Sequence, residues 1–297
     1  MLARLLLQAA LGLAPRVPPS VARLLADIIA SFEYRLSPTK REAVLANLAA
    51  IAAAGHPLLA RPQDRAREAK AIFRSYHRSV MEFLAQRRLA AAWDDAFRFE
   101  GTETLYRAVG SGRGAVVAAS HLGNWELAGL ALARLGFRVH VVTGTQWNPL
   151  LHGAVRALKE GSGIAVSTPE DGFVPLLETL RRGGLAVLLV DGDIYTRGVE
   201  ASFFGRAVPF PAGPALLARR AGVPLLHAHA ARGRDGHRIV FDGADAPDRA
   251  LPLGADLARL TSRVAAAQER NIAAHVGEWC IFRPFFGPAP GARADAA

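Results

Sequence analysis

His121 and Glu126 are the two residues whose types and spacing can support catalysis. They lie in residues 120–126, which read SHLGNWE. On a regular helix they would point about 140° apart, given 3.6 residues per turn, and could not meet. If His121 instead lies in a turn that Gly123 tightens, its imidazole can fold back to a carboxylate in the first turn of the following helix. The spacing therefore predicts a His121/Glu126 dyad in which the histidine removes a proton from a hydroxyl group.

A structural interpretation of the same two residues remains open. A histidine that follows a strand is often a hydrogen-bonded loop residue. A glutamate in a first helical turn interacts favourably with the helix dipole without any catalytic role. The spacing alone does not choose between these interpretations.

The elements that must position this segment are visible on both sides of it. Residues 114–119 read GAVVAA, which is typical of a short strand buried on both faces of a sheet. Apolar residues from Leu127 to Leu135 recur at helical spacing, and Gly136 ends the pattern. We therefore expect a strand, a tight turn that carries His121, and a helix.

The pattern over most of the chain resembles one family. HLGNWE at 121–126 is similar to the His-x-x-x-x-(Asp/Glu) signature of glycerolipid and lysophospholipid acyltransferases, in the form typical of the bacterial lipid A biosynthesis lauroyl and myristoyl acyltransferases. Other segments resemble further motifs of that family: KRE at 40–42 leading to NL at 47–48, NPL at 148–150, DGD at 191–193, FFGR at 203–206, the helix at 211–221, Trp279 and FRPF at 282–285.

This resemblance implies an acyltransferase with His121 and Glu126 as its catalytic residues. Its co-substrate would be an acyl thioester, acyl-ACP or acyl-CoA, with no cofactor and no metal. The acceptor would be a hydroxyl group of a glycolipid or phospholipid. The expected substrate-binding residues are Asn124, Lys159, Asp191, Asp193, Arg197, Phe203, Phe204 and Arg206.

Three of these assignments have a physical basis of their own. Asp191 ends a predicted strand, and ligands of parallel sheets bind at the carboxyl ends of strands, so Asp191 and His121 should face one crevice unless Asp191 only caps the turn after its strand. Lys159 stands four residues before Gly163, where relatives often carry Arg, and it would bind phosphate unless it only complements the end of its own helix. Phe203 and Phe204 would line an acyl tunnel or simply pack in the core.

Two other kinds of chemistry are less well supported. His227 and His229 are two positions apart, as metal ligands on a strand can be, but no third ligand at useful spacing accompanies them, so we predict no metal site. The chain also lacks the Gly-x-Ser-x-Gly motif of serine lipases and thioesterases. The alternative to an enzyme is a non-catalytic peripheral lipid-binding protein that retains the fold.

Composition points to an anionic partner. The 297 residues are 51% hydrophobic and carry a formal net charge of +10. Scattered arginines, without zinc-ligand spacing or an aromatic RNA-binding signature, argue against nucleic acid, so an anionic membrane surface is the better match. The single Cys280 excludes an intramolecular disulfide.

The N-terminal residues favour membrane contact without a complete span. The apolar run from Leu5 to Ala14 is shorter than the roughly 20 residues that a straight transmembrane helix needs. It is followed by a helical stripe from Val21 to Leu36, which would either lie in the membrane interface or pack on the protein's own core. We therefore expect a peripheral or monotopic protein on the cytoplasmic face of the inner membrane.

The chain as a whole predicts an α/β fold, with a mainly parallel central sheet flanked by helices and an N-terminal helical region packed on it. The expected units are a helical region at 1–95, an α/β core at 96–286 and a disordered tail at 287–297. Within the core we expect strands at 114–119, 138–143, 163–167, 185–190, 223–230 and 237–242.

Overall fold

A computed structural model of the chain describes residues 12–89, 96–144, 149–192, 198–233 and 236–287. The predicted boundary at residue 95 and the predicted tail lie outside these ranges, apart from Gly287. So does most of the N-terminal apolar run.

The helices begin with three long ones, each of which has proline at its first position. Proline suits that position because its missing N–H would have no helical partner there. The helices are α1 Pro19–Leu36, α2 Pro38–Ala53, α3 Pro62–Leu84, the short α4 Gln86–Leu89, α5 Thr102–Val109, α6 Trp125–Arg134, α7 Pro149–Glu160, α8 Val174–Arg181, α9 Gly213–Ala221 and α10 Leu253–Ala274.

The strands follow α4 along the chain, and from β1 to β5 they alternate with helices. They are β1 Phe97–Glu100, β2 Ala115–Ala119, β3 Val139–Val142, β4 Ile164–Ser167, β5 Leu185–Leu189, β6 Gly198–Phe203, β7 Arg206–Pro211, β8 Leu225–Gly233 and β9 Gly236–Asp245.

Among the described residues, seven strands form one sheet in the order β1-β9-β8-β2-β5-β3-β4. The pairs are parallel except that β8 and β9 are antiparallel. The predicted α/β fold with a mainly parallel sheet is confirmed.

Both faces of the sheet are covered. Along β2, Val116 and Ala118 face one core cluster, while Ala115 and Val117 face another, as the alternation of side chains along a strand requires. The first cluster also contains Leu48 and Phe73 from the N-terminal helices. The predicted packing of the helical region on the sheet is therefore confirmed, and this region shares a core with the strands.

The stripe on α1 does not pack into that core. The buried positions of α1 are the small Ala26 and Ala30, of which Ala30 belongs to that core, whereas Leu24, Phe32 and Leu36 of the stripe are 60%, 58% and 76% exposed. The outward face of α1 is thus apolar, and the open question from the sequence is answered against core packing. None of the helices in the described ranges is long and apolar enough to cross a membrane.

Three elements depart from the sequence-based prediction. Strand β1 and helix α5 are short and follow the change of pattern near Phe97. The third is a separate hairpin, in which β6 and β7 pair around a two-residue loop of Phe204 and Gly205. Both loop residues have positive φ, 49° and 69°, which is the geometry of tight hairpin turns that twist correctly between strands.

Candidate active site

The sheet register brings His121 and Asp191 together. Strands β2 and β5 are adjacent and parallel, and Ala119 is opposite Leu189. Two residues further along each strand come His121 and Asp191, at the carboxyl edge of the sheet. The Nδ1 atom of His121 lies 2.8 Å from Oδ1 of Asp191. The two residues that the sequence placed at the same edge of the sheet are thus in direct contact.

Asp191 accepts hydrogen bonds from three groups. The backbone N–H of His121 donates to Oδ2 at 2.9 Å, and the indole Nε1 of Trp279 donates to the same oxygen at 2.8 Å. With the imidazole, these donors surround a carboxylate that is only 1% exposed. Nη2 of Arg283 holds the backbone carbonyl of Asp191 at 2.9 Å.

This environment keeps Asp191 ionised. Burial raises the pKa of its carboxyl group, but the charge of His121 and the hydrogen bonds from His121 and Trp279 outweigh burial, so the pKa lies below its usual value. An ionised carboxylate only accepts hydrogen bonds, so Nδ1 of His121 must carry the proton that lies between them. In the neutral imidazole the lone pair is then on Nε2.

Nε2 of His121 is free to act on a ligand. The His121 side chain is 27% exposed, and the ring of Trp125 packs edge-on against it with 4.9 Å between centroids. Within the described part of the chain, Nε2 has no hydrogen-bond partner. This arrangement, a base oriented by a buried carboxylate with its second nitrogen open, is that of a general base.

Glu126 has a different partner from the one that the sequence predicted. Its Oε2 lies 2.9 Å from Nζ of Lys159, and of the described carboxylates it is Asp191 that contacts His121. The physical reason is that the adjacent strand β5 supplies a carboxylate level with His121, whereas Glu126 lies in the first turn of α6 and faces α7. The predicted direct dyad is thus replaced by two pairs, His121–Asp191 and Glu126–Lys159.

The pairing also changes the interpretation of Lys159. The sequence predicted a cation that is available to phosphate, but Lys159 is 5% exposed and its ammonium is engaged by Glu126. A buried ammonium needs such a counter-charge because desolvation would otherwise favour its neutral form.

Asn124 was predicted to bind substrate, but its side chain is committed to the turn. Its Oδ1 accepts the N–H of Leu127 at 3.2 Å, which makes Asn124 the N-cap of α6. Its Nδ2 donates to Oε2 of Glu82 at 2.8 Å, and the residue is 1% exposed. The cap, rather than a ligand, explains an asparagine at this position.

Phe203 and Phe204 lie in an aromatic cluster and not at an open surface. Phe203 is fully buried and its ring stacks with that of Phe286, at 5.8 Å between centroids. Phe204 is 6% exposed, and its backbone N–H donates to Glu269 at 2.6 Å. The core-packing alternative therefore describes both residues. The Arg206 guanidinium lies over the Phe286 ring at 5.7 Å.

Asp193 and Arg197 are outside the described residues. Nε2 of His227 pairs with Asp245 at 2.8 Å, whereas Nδ1 of His229 lies 3.5 Å from Asp242, so each histidine has its own carboxylate.

Cys280 is buried, and burial raises the pKa of its thiol to about 12. The thiol therefore stays protonated at neutral pH and is a poor nucleophile.

Sequence reasoning missed the roles of Trp279 and Arg283. Both belong to segments that matched the family, but nothing in their spacing shows that they hold Asp191. The only signal in the sequence was that an indole N–H and a guanidinium need hydrogen-bond acceptors when they are buried.

Comparison with known proteins identifies a family and several relatives of this chain. The sequence profile of a family described as bacterial lipid A biosynthesis acyltransferase matches residues 3–287. Phosphatidylinositol mannoside acyltransferases from two strains of Mycobacterium tuberculosis are 31% identical over 189 residues, which is 62% of this chain and 58% of theirs. The corresponding protein of Mycolicibacterium smegmatis is 30% identical over 186 residues, 61% of this chain and 59% of its own. The chain thus spans less than two thirds of the length of these curated relatives.

Proposed function

The chain belongs to the bacterial lipid A biosynthesis acyltransferase family, and we propose that it transfers a fatty acyl group from a thioester to a hydroxyl group of a membrane glycolipid. The observation that carries the proposal is the His121–Asp191 pair, in which Nδ1 is held at 2.8 Å by a buried carboxylate and Nε2 is open.

The reaction needs one base and no covalent enzyme intermediate. Nε2 of His121 removes the proton of the acceptor hydroxyl as its oxygen attacks the thioester carbonyl. The carbon–sulfur bond then breaks, and the imidazolium returns the proton to the departing thiolate, so that the products are an ester and a free thiol. Asp191 stabilises the imidazolium between these steps because its charge is close and desolvated.

Glu126 and Lys159 support the same site from α6 and α7. Their ion pair joins the first turn of α6 to the last turn of α7 and gives the buried ammonium of Lys159 a counter-charge. The backbone amides at the start of α6 are the candidate donors for the oxyanion, since a helix N-terminus presents N–H groups toward developing negative charge.

The donor and the acceptor are proposed by chemical class. An acyl thioester, as acyl-CoA or acyl-ACP, supplies the energy of transfer without a cofactor. The curated relatives are named for phosphatidylinositol mannosides, so a mannosylated phosphatidylinositol is the first acceptor to test, and a lipid A precursor is the second.

The exposed face of α1 supports a position on an anionic membrane surface. Its exposed apolar residues lie on a protein of formal net charge +10, and apolar burial and electrostatic attraction both favour an interface of that kind. We place the protein on the cytoplasmic face of the inner membrane.

One assay separates transfer from its rivals. Purified protein is incubated with ¹⁴C-labelled acyl-CoA or acyl-ACP and vesicles that contain one defined glycolipid acceptor, and the lipids are then separated. Labelled glycolipid ester supports the proposal, labelled free fatty acid indicates a hydrolase, and unchanged donor with bound protein indicates a lipid-binding protein.

A further inference from the structure

A polar network on the far side of the turn from Asp191 has no role in the proposed chemistry. It joins Glu82 of α3 to Arg232 of β8, with Nη1 of Arg232 2.7 Å from Oε1 of Glu82. The other oxygen of Glu82 accepts Nδ2 of Asn124 at 2.8 Å. The ion pair is therefore connected, through one side chain, to the N-cap of the helix that follows His121.

Arg232 holds the same region at two more points. Its Nη2 donates to Oγ of Ser79 at 2.7 Å, and Oγ of Ser79 donates to the backbone carbonyl of Gly123 at 3.2 Å. The backbone N–H of Arg232 donates to Oε2 of Glu278, whose own carbonyl accepts the N–H of Gly123 at 3.2 Å. Both backbone groups of Gly123 are thus tied to partners of Arg232.

The turn has little freedom to use other contacts. Gly123 has φ 61°, and a Cβ there would lie 2.5 Å from the carbonyl oxygen of Ala230, so the turn passes directly against β8. The network also fixes the orientation of the Asn124 amide. The N–H of Leu127 can only donate and the Glu82 carboxylate can only accept, so Oδ1 and Nδ2 cannot exchange places.

Glu82 remains charged in this setting. Burial raises the pKa of its carboxyl group, but the charge and hydrogen bond of Arg232, with His237 and Asn124, outweigh burial and hold the pKa below its usual value. Charge-assisted hydrogen bonds of this kind are stronger than neutral ones and more directional.

From these contacts we propose that Glu82 and Arg232 are positioning residues for the base: they act through Asn124 and Gly123 to hold the turn in which His121 presents Nε2. Neither residue contacts His121 itself. The inference rests on the proposed function for its kinetic consequence but not for its geometry. Loss of the network lets the turn adopt several conformations, and a displacement of about 1 Å can cost on the order of 10²-fold in rate.

The test exchanges donor and acceptor between two positions. Glu82→Gln cannot satisfy both Arg232 and the Asn124 amide, because each needs an acceptor and a glutamine offers only one. Asn124→Asp keeps an N-cap acceptor but sets two carboxylates against each other. In the double variant the new amide donates to the new carboxylate and still accepts from Arg232, so the pattern is complete again.

We expect each single variant to lower kcat by about tenfold or more, with KM for acyl-CoA nearly unchanged, and the double variant to recover most of the loss. Glu100→Gln is the matched control, because it removes a carboxylate from the ion pair with Arg238 at another edge of the sheet, and kcat should not change. A double variant no faster than the slower single one would overturn the proposal and return Asn124 to the substrate-binding residues.

A second measurement does not depend on turnover. The imidazole signal of His121, observed by NMR in histidine-labelled protein, should shift or broaden in each single variant and return in the double variant. If the wild-type protein shows no transfer, the proposed function fails and this signal still decides the inference. An unchanged His121 signal in both single variants would contradict it. Should either single variant fail to fold, Arg232→Lys, which keeps the charge but not the fork, must show the same disturbed signal.

Discussion

At the scale of single residues, the geometry of His121 is over-determined. Its ring is held by Asp191, its backbone N–H by the same carboxylate, and its carbonyl by the N–H of Cys280 at 2.8 Å. A histidine held so firmly with one ring nitrogen open is more commonly functional than structural, because stability alone does not require an open Nε2.

His121→Ala should strongly reduce acyl transfer and leave the protein folded. The variant removes the base but leaves Asp191 with two of its donors, the backbone N–H of residue 121 and the indole of Trp279. Transfer should fall by on the order of 10²–10⁴-fold, as for loss of a general base. Circular dichroism confirms the fold, and turnover within threefold of wild type would remove His121 from the mechanism.

The ion pair between Glu126 and Lys159 should contribute to the free energy of unfolding. Lys159→Met leaves a partly buried carboxylate without its counter-charge and should lower the free energy of unfolding by about 1–3 kcal/mol. The double variant with Glu126→Leu should be more stable than the sum of the two single changes predicts. Urea unfolding of all four proteins gives the coupling energy, and a value near zero would mean that the pair is not formed in solution.

At the scale of elements, the sequence predicted the helices and parallel strands that surround the site. The apolar run at β2 and the helical stripe of α6 both matched, because each element carries a clear period. Adjacency in the sheet was not predictable, since the neighbour of β2 is set by packing over the whole chain. The sequence could therefore place Asp191 at the same edge of the sheet as His121. It nevertheless assigned to Glu126 the contact with the imidazole that Asp191 makes.

The hairpin β6–β7 was missed although its sequence alternates. Ala201 and Phe203 on one strand, and Val208 and Phe210 on the other, are buried at every second position. The turn between them reads Phe-Gly instead of the Asn-Gly or Asp-Gly that signals such a hairpin. The family resemblance implied that the phenylalanines bind substrate, and of the two alternatives, an acyl tunnel or core packing, the structure shows core packing.

Helix α1 should carry membrane binding. Leu24→Glu combined with Phe32→Glu puts two charges on its exposed apolar face and should reduce sedimentation with anionic vesicles by about tenfold or more. Val174→Glu is a matched control, because Val174 is 72% exposed on α8. Binding that is equally reduced by the control, or not reduced by the α1 variant, would place the membrane contact elsewhere.

At the scale of the whole molecule, several buried ionisable groups link folding to pH. Burial lowers the pKa of His140, His237 and His275 below the usual value for histidine. The unfolded chain then binds more protons than the folded one below about pH 6.5, so stability is greatest above that pH and is lost as pH falls through the lowered pKa values. Burial raises the pKa of Glu278, so the contribution of Glu278 to stability changes with pH in the opposite direction.

The melting temperature should therefore fall as the pH is lowered from about 7.5 to 5.5, before the low-pKa carboxylates Asp191 and Asp256 add their own loss at more acidic pH. His140→Gln should reduce the slope, because one of the three histidines no longer titrates. Scanning calorimetry across this range is the check. A melting temperature that is constant or rises on acidification would show that the three histidines do not have lowered pKa values.

The most direct test of the account is the rate of acyl transfer by Asp191→Asn. Asparagine keeps the size of the side chain and can still accept hydrogen bonds from Trp279 and the backbone N–H of His121, but it removes the charge that supports the imidazolium. Asp256→Asn, at a buried carboxylate paired with Arg219 away from the site, controls for lost stability. The account predicts that kcat of Asp191→Asn falls by on the order of 10²–10⁴-fold while that of folded Asp256→Asn does not. Equal rates for Asp191→Asn and the wild type would show that Asp191 does not orient a catalytic His121.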